Sequence, residues 1–384
     1  MKIGIVTEYY YPSLGGIQEH VHHFAVEAMA LGHQVRVITS KVGYFSRERR
    51  EISGVPVTSV GLSVPFYNNG SVARVTFARR LGAKLEAIFE REKFDVVHIH
   101  APLTPTLPIL SLTRSKSVTV GTFHTNFKAS AFLTLFNKAC QGYLDRLDGR
   151  IAVSKTAAGA LNRYFKSDFK VIPNGIDTTK FSPAIPRLPA FDDSRFNLLW
   201  IGRMEPRNGL DRMIRAFSLA VATGRNLRLI VVGDGPLRKI YEQLVPGDLK
   251  RHVHFTGPVN TGRPALYASA DVLCAPTTIS SFGITLLEGM ATGIPIIASD
   301  IDGFRDVMTD GREGLLVDTA NPAVFRDAIL RLADDRALGR AYGERGRATA
   351  EGYSWPRVTA AVIDHYHEAI ARHRTRATGL VRVA

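Results

Sequence analysis

Two glycine-bearing loops in this chain have the composition needed to receive a phosphate. The first, Thr7-Glu-Tyr-Tyr-Tyr-Pro-Ser-Leu-Gly15-Gly16-Ile17, runs from a β-branched segment into an amphipathic one. Gly15 and Gly16 let backbone approach an anion, with the free N–H groups of a helix start aimed at it. A plain tight turn would use the same two glycines. The dinucleotide-binding pattern is not met, because no third glycine follows and no acidic residue ends the second strand. The second loop is Ser280-Ser-Phe-Gly283-Ile284-Thr285-Leu-Leu-Glu288. At a helix start there, the N–H groups of Gly283, Ile284 and Thr285 lack intrahelical partners and suit a diphosphate. Glu288 lies about one turn further on. A carboxylate in that place accepts two ribose hydroxyls, or simply complements the helix dipole.

Two further residue sets fit the same chemistry. In Gly202-Arg203-Met-Glu-Pro-Arg207-Asn208-Gly209, Arg203 follows a strand-like run and can neutralise a departing diphosphate. Arg207, on the same turn, is expected to point elsewhere. Gly233-Asp234-Gly235-Pro236 ends the next strand; it borders the same site or is a simple β-to-α turn. In Thr122-Phe123-His124-Thr125, His124 stands at a strand end, which makes it a candidate, although a lone histidine is more often structural.

Such residues must be presented by strands. Strand-like runs at Lys2–Thr7, Gln34–Thr39, Asp95–Ile99, Ser117–Thr122, Arg150–Val153 and Lys170–Ile172 alternate with helical stretches at Ile17–Leu31, Arg74–Glu92, Pro102–Thr113, Ala129–Leu147 and Lys155–Tyr164. The rhythm pauses at the proline-containing stretch Thr178–Asp193. It resumes with strands at Phe196–Ile201, Leu227–Val232, His252–Thr256, Asp271–Ala275 and Pro295–Ala298. Helices are expected at Gly209–Ala222, Pro236–Leu244, Arg263–Ser269 and Gly283–Thr292, then Pro322–Leu332 and Trp355–Arg372. The alternation predicts an α/β protein of two Rossmann-like halves, each a parallel sheet covered on both faces. Ligands in such sheets bind beyond the carboxyl ends of the strands.

The 384 residues carry a formal net charge of +14 and are 45% hydrophobic, a composition that excludes disorder and fibrous repeats. The surplus calls for a polyanionic partner: nucleic acid, an anionic membrane or phosphorylated small molecules. Nucleic acid drops out, because basic residues are scattered and no recognition motif is present. Cys140 and Cys274 make neither a disulfide framework nor a zinc site. No secretory signal and no apolar run of about 18–20 residues is found, so a cytoplasmic protein, peripheral at most on the inner face of the plasma membrane, is expected.

The motifs together resemble the retaining glycosyltransferases of family four, which have the GT-B fold. Among members the chain is most similar to the phosphatidyl-myo-inositol mannosyltransferases. The resemblance rests on Gly15-Gly16-Ile-Gln-Glu-His-Val, Tyr67-Asn-Asn-Gly70-Ser71-Val-Ala-Arg74, Phe94-Asp-Val-Val-His98-Ile-His100, Thr122-Phe-His124-Thr125, Gly149-Arg-Ile-Ala-Val-Ser154, Ile172-Pro-Asn174-Gly175-Ile-Asp177, Gly202-Arg203 and Ser281-Phe-Gly283-Ile…Leu-Glu288. It implies two Rossmann-like domains facing a central cleft, 1–179 for the acceptor and 180–355 for the donor, with a last helix over 356–384 returning to the first. It implies that Gly16 meets the donor phosphate, His124 lies near the transferred sugar, Arg203 binds the diphosphate and Glu288 the ribose. Gly283, Ile284 and Thr285 would hold the donor at the helix start. Tyr9, Asn69, Ser71 and Arg74 fall where lipid-directed relatives bind the inositol phosphate head group.

Two positions depart from the pattern. Ser280 stands where most members carry a glutamate that contacts the donor sugar, and Asn208 where most carry a lysine that assists the diphosphate. A changed donor and a loss of activity are the two readings of that pair. The expected reaction moves a hexose, of the mannose or glucose type, from a GDP- or UDP-sugar to a lipid head group such as phosphatidylinositol. The sugar nucleotide serves as co-substrate, and neither cofactor nor metal is needed. The alternatives are a soluble sugar or phosphorylated acceptor with an altered donor, and a catalytically weak GT-B protein that binds nucleotide sugars. The oligomeric state is not specified. Arg74–Lys93 reads as an amphipathic helix with Val75, Phe77, Leu81, Leu85, Ile88 and Phe89 on one stripe and Arg74, Arg79, Arg80 and Lys84 toward its front. Such a helix either lies on an anionic bilayer or packs on the sheet. The arginines of the carboxyl-terminal tail, Arg372, Arg374, Arg376 and Arg382, would serve the same anionic surface or merely be solvated.

Overall fold

The computed structural model describes residues 1–11, 15–42, 51–68, 71–127, 129–259 and 262–381. The chain divides into two compact units, residues 1–175 with 355–384, and residues 176–354.

The first unit is built on a mainly parallel sheet. Its strands are β1 (Lys2–Val6), β2 (Gln34–Val42), β3 (Glu51–Ile52), β4 (Val55–Asn68), β5 (Ser71–Phe77), β6 (Val96–His100), β7 (Val118–Phe123), β8 (Gly149–Ala152) and β9 (Lys170–Val171). They run in the order β3-β4-β2-β1-β6-β7-β8-β9, with β5 paired to β4. β1, β6 and β7 are buried almost throughout, because helices cover both faces. Those helices are α1 (Gly16–Ala30), α2 (Leu81–Glu92), α3 (Leu107–Arg114), α4 (Ala131–Leu135), α5 (Asn137–Asp145) and α6 (Lys155–Asn162).

The second unit holds a six-stranded, wholly parallel sheet. Its elements alternate as β10 (Phe196–Ile201), α7 (Leu210–Val221), β11 (Leu227–Val232), α8 (Arg238–Leu244), β12 (Val253–Gly257), α9 (Arg263–Ala268), β13 (Val272–Ala275), α10 (Ile284–Thr292), β14 (Ile296–Ser299), α11 (Asp302–Arg305) and β15 (Gly314–Val317), then α12 (Pro322–Asp334) and α13 (Arg336–Glu351). The order is β12-β11-β10-β13-β14-β15. Trp200, Phe217, Leu229 and Phe325 sit in one core with the apolar face of α7.

The last helix, α14 (Trp355–Val381), belongs to the first unit. Trp355, Val358, Val362 and Tyr366 share a core with Ile3 and Ile5 of β1 and Val21 and Phe24 of α1. Its polar side ties to Asp148, whose backbone oxygen accepts from Arg372 Nε at 3.1 Å and whose Oδ1 lies 3.7 Å from Arg376. These two tail arginines are engaged locally; Arg382 lies outside the described residues.

Three local expectations need correction. The helix expected over 74–92 begins only at Leu81; Arg74 to Phe77 belong to β5, which forms an antiparallel hairpin with β4. Asn68 pairs with Ser71 across it. The sequence Asn69-Gly70, between two β-rich runs, is the hairpin signal that outweighs helical periodicity there. The helix expected over 129–147 is broken into α4 and α5 at Phe136. α13 was not expected, since its three glycines and many charges hide the apolar stripe.

Candidate functional site

Each sheet reverses its order of winding once on either side of a central strand: β1 lies between β2 and β6, and β10 between β11 and β13. Such switch points are where open α/β sheets leave a crevice at the strands' carboxyl ends. The candidate residues gather at both.

In the first unit, Gly15 caps α1 without a side-chain cap hydrogen bond. Behind it lies a cluster of histidines. His98 and His100 are two apart on β6 and therefore share one face of the strand. His100 Nδ1 is 2.9 Å from Nε2 of His124, and the two rings stack with centroids 5.2 Å apart. His98 is held by Thr122 Oγ1 at 2.6 Å and by the Tyr366 hydroxyl at 2.7 Å. The ring of His20 packs edge-on to His100, His124 and Trp355. Burial pushes His20 down to about 4 and His98 to about 3, and holds His100 and His124 well below the usual histidine range, so all four are neutral at physiological pH.

The structure brings Tyr9 and Arg74 together: the Arg74 backbone N–H donates to the Tyr9 hydroxyl at 3.3 Å. The Arg74 guanidinium also reaches Ser63 Oγ at 3.3 Å. Ser71 begins β5, while Asn69 lies outside the described residues. Beneath Tyr9 sits Glu8, 2% exposed, which sequence reasoning passed over. It accepts from the Thr76 N–H and from Thr106 Oγ1, each at 3.2 Å. Burial raises its carboxyl from 4.5 to about 7 despite those hydrogen bonds. Thr106 is held with φ of 73°, an unfavourable conformation for a β-branched residue, and its hydroxyl also receives the Thr76 N–H at 3.0 Å.

In the second unit, Arg203 follows β10. Its Nη2 is 3.1 Å from Glu205 Oε1, and Arg207 Nε is 3.3 Å from Glu205 Oε2. Arg207 therefore does not point away as expected. Glu205 is buried, and one carboxylate holds both guanidinium groups on the same loop. Asn208, the position of the missing lysine, donates from its amide to the Arg203 carbonyl at 2.7 Å, and its own carbonyl accepts from Trp200 Nε1 at 3.1 Å. It shapes the loop that carries Arg203. Two glycines let the neighbouring loops close on it. Gly209, with φ of 68°, would place a Cβ 2.1 Å from the Pro276 oxygen. Gly233, with φ of 133°, would place one 1.9 Å from the Gly202 oxygen. Only glycine is compatible with either.

Gly283 caps α10, again without a side-chain cap hydrogen bond, so Ile284 and Thr285 open a helix that has no acidic residue in its first turn. Ser280 Oγ is bonded to the Phe282 carbonyl. Glu288 is more than a dipole carboxylate: it is 3% exposed, accepts from the Tyr267 hydroxyl at 2.6 Å and pairs with Arg263. Each of its oxygens thus has one strong donor and one remaining lone pair. Arg263 and Tyr267 were missed because their place beside Glu288 comes from α9 packing on α10, with no local spacing to announce it. A cavity of about 380 Å³ lies at the other end of this sheet, lined by Phe196, Asp271, Pro295 and Arg336, and none of the nominated residues line it.

The surface expected to meet a bilayer is different in kind. Leu81, Leu85, Ile88 and Phe89 of α2 lie in the core of the first unit, so its apolar stripe is not offered to lipid. Arg79, Arg80 and Lys84 remain exposed. A separate apolar cluster is exposed on and beside α4: Phe132 at 46%, Leu135 at 77% and Phe136 at 47%. Among the described residues, no helix is long and apolar enough to cross a membrane.

Residues 14–180 match the model of Glycosyltransferase Family 4, and residues 195–335 that of Glycosyl transferases group 1. The phosphatidyl-myo-inositol mannosyltransferase of Mycolicibacterium smegmatis is 34% identical over 369 residues, covering 95% of this chain and 93% of the relative. That of Propionibacterium freudenreichii is 33% identical over 98% of this chain and 97% of its own length. Among solved structures, sucrose-phosphate synthase from Thermosynechococcus elongatus superposes with a TM-score of 0.78 at 19% identity, over 96% of this chain and 99% of that one. Anabaena HepE, solved in complex with UDP-glucose, superposes with a TM-score of 0.75 at 16% identity, over 95% of this chain and 98% of its own. These likenesses show the GT-B fold.

Proposed function

The chain belongs to glycosyltransferase family 4, and we propose that it transfers a hexose from a nucleotide diphosphate sugar to a membrane-lipid head group of the phosphatidylinositol type, with retention of anomeric configuration and without a metal ion. The donor half of this reading is supported most directly by the convergence of Arg203 and Arg207 on Glu205 beside the winding reversal at β10. Arg207 supplies the second positive charge that the loss of a lysine at Asn208 would otherwise remove. The N–H groups at the start of α10 add a further set of donors. Glu288 retains one lone pair on each oxygen for two adjacent hydroxyls, which suits a ribose. On the acceptor side, Tyr9 and Arg74 make a polar pair suited to a phosphorylated head group. The identity of more than 30% along nearly the whole length with lipid-directed mannosyltransferases favours a lipid over a soluble acceptor. Phe132, Leu135 and Phe136, with the exposed basic side chains of Arg79, Arg80 and Lys84, suit contact with an anionic bilayer.

In the reaction, the bond from the anomeric carbon to the diphosphate oxygen breaks as the acceptor hydroxyl oxygen bonds to that carbon on the same face. The acceptor proton passes to the departing phosphate oxygen. Arg203, Arg207 and the α10 start stabilise the charge that develops there, which places this scheme apart from the paired carboxylates of glycoside hydrolysis. His124 contributes a neutral imidazole beside the transferred sugar. With Ser280 bonded to Phe282, that side chain supplies no carboxylate to the sugar, so the hexose must be found by trial. The test is a screen of GDP-, UDP- and ADP-hexoses with vesicles containing phosphatidylinositol, in the presence and absence of EDTA. Transfer to the lipid with an α-linked product, unchanged by EDTA, is expected. Transfer only to soluble inositol phosphates, or a strict requirement for a divalent cation, would overturn the corresponding part.

A further inference from the structure

The histidine cluster in the first unit has one atom whose surroundings decide the protonation pattern of the rest. His100 is 1% exposed, and its Nε2 has no hydrogen-bond partner among the described residues. Its Nδ1 is 2.9 Å from His124 Nε2. Both rings are neutral, because burial and the neighbouring histidines oppose a charge on either. A neutral pair shares one proton across this contact, so there are two arrangements. If His124 donates, the single proton of His100 must sit on Nε2, leaving a buried N–H without an acceptor among the described residues, which is the costly defect. If His100 donates from Nδ1, its Nε2 is merely an unused acceptor, the milder and commoner defect.

We propose that His100 is the positioning residue of His124: it donates from Nδ1 to Nε2 of His124 and fixes His124 as the tautomer whose N–H is on Nδ1, with Tyr366 of α14 anchoring the array through His98. The anchoring is direct. Tyr366 bonds His98 Nδ1 at 2.7 Å, and His98 Nε2 bonds the hydroxyl of Thr122, two residues before His124. The ring of His98 packs on that of His100 with centroids 4.5 Å apart. The charged and titratable neighbours of this group are the buried imidazole of His20, the exposed side of the cluster at His23, which stacks on Trp355, and His365 on α14. Among the described residues, the hydrogen-bond and ring partners of His100 are all imidazoles, so none of them favours an imidazolium. The last helix of the chain thus holds His98, and through its ring contact His100, in place beside the carboxyl end of β7. A neutral His124 of fixed tautomer has a defined donor and a defined acceptor nitrogen and adds no charge.

The effect on turnover rests on the function proposed above; the tautomer itself does not. The full chain, labelled with ¹⁵N-histidine, is examined by two-bond ¹H–¹⁵N correlation of the imidazoles, with His124→Gln identifying the resonance. The spectrum should show His124 protonated at Nδ1 and unprotonated at Nε2. In His100→Leu the preference should be lost, and in His100→Asn, whose amide nitrogen overlays Nδ1, it should return. With the donor and phosphatidylinositol vesicles found by the screen, His100→Leu should lower kcat by roughly 10- to 100-fold while KM for the donor changes by about twofold or less, and His100→Asn should recover most of the loss. A wild-type His124 protonated at Nε2, or an unchanged tautomer in His100→Leu, would overturn the proposal. If His100→Leu fails to fold, the wild-type spectrum alone decides. Tyr366→Phe should shift the His98 Nδ1 resonance; no shift would detach α14 from the array. An enzyme inactive toward every donor but with the expected spectrum would refute the function and leave this inference standing.

Discussion

Replacing Glu8 with glutamine should remove a pH dependence that is built into the first unit beside Tyr9 and Arg74. Glu8 is 2% exposed, and burial raises its carboxyl from 4.5 to about 7. The folded chain therefore keeps a proton between those two values that the unfolded chain releases. Stability present below pH 4.5 is lost as pH rises to about 7 and then levels off. At about 1.4 kcal/mol per pH unit, the total is on the order of 3 kcal/mol, with no discount for solvent because the group is buried. Glutamine fills the same space, still accepts from the Thr76 N–H and Thr106, and can donate to Thr76 Oγ1. The assay is urea unfolding followed by Trp355 fluorescence in a Trp200→Phe background, which isolates the first unit because the chain has two tryptophans. The Glu8→Gln protein should gain on wild type by about 3 kcal/mol between about pH 5 and about pH 8. Stability curves that run parallel across that range would refute the reasoning. The same carboxylate ties the segment carrying Tyr9 to the hairpin strand carrying Arg74, so apparent affinity for the lipid should weaken over the same pH window in wild type and not in the variant.

Arg203→Ala should lower kcat by roughly 10²–10³-fold and Arg207→Ala by roughly tenfold, measured as initial rates of transfer; near wild-type turnover in Arg203→Ala would reject its role at the diphosphate. Glu288→Ala should weaken binding of the free nucleoside diphosphate by roughly 10- to 100-fold in calorimetry, since two hydroxyl contacts are lost; unchanged affinity would count against the ribose assignment. The triple change Phe132→Ser, Leu135→Ser and Phe136→Ser should reduce flotation with anionic liposomes by about tenfold or more while changing the melting temperature little, because Leu135 is largely exposed and Phe132 and Phe136 are about half exposed. Equal flotation would move the membrane contact to another face.

The alternation of apolar runs and amphipathic stretches determined the two parallel sheets, because a strand buried on both faces must be continuously apolar. β10 and β11 coincide with their expected bounds. Placing Arg203, His124, Gly283 and Glu288 at strand carboxyl ends and helix starts followed from local order alone. The β5 hairpin was misread, since Val75, Phe77, Leu81 and Leu85 fit a helical stripe until the pairing of β4 with β5 competes for the backbone of the first two. Contacts that join distant parts of the chain were beyond any reading of spacing. Arg207 beside Arg203 depends on how a buried Glu205 turns the loop. Arg263 and Tyr267 meet Glu288 only because α9 packs on α10. Tyr366 reaches His98 across 268 positions of sequence. The +14 surplus on which a polyanionic partner was inferred is likewise a sum over the chain, and tertiary structure decides its use. It sets Arg203 and Arg207 around one carboxylate, ties Arg372 and Arg376 to Asp148, and leaves Arg79, Arg80 and Lys84 at the surface. Residue type fixes which charges exist; burial and partnership, set by the packing of distant elements, fix which of them remain available to a ligand.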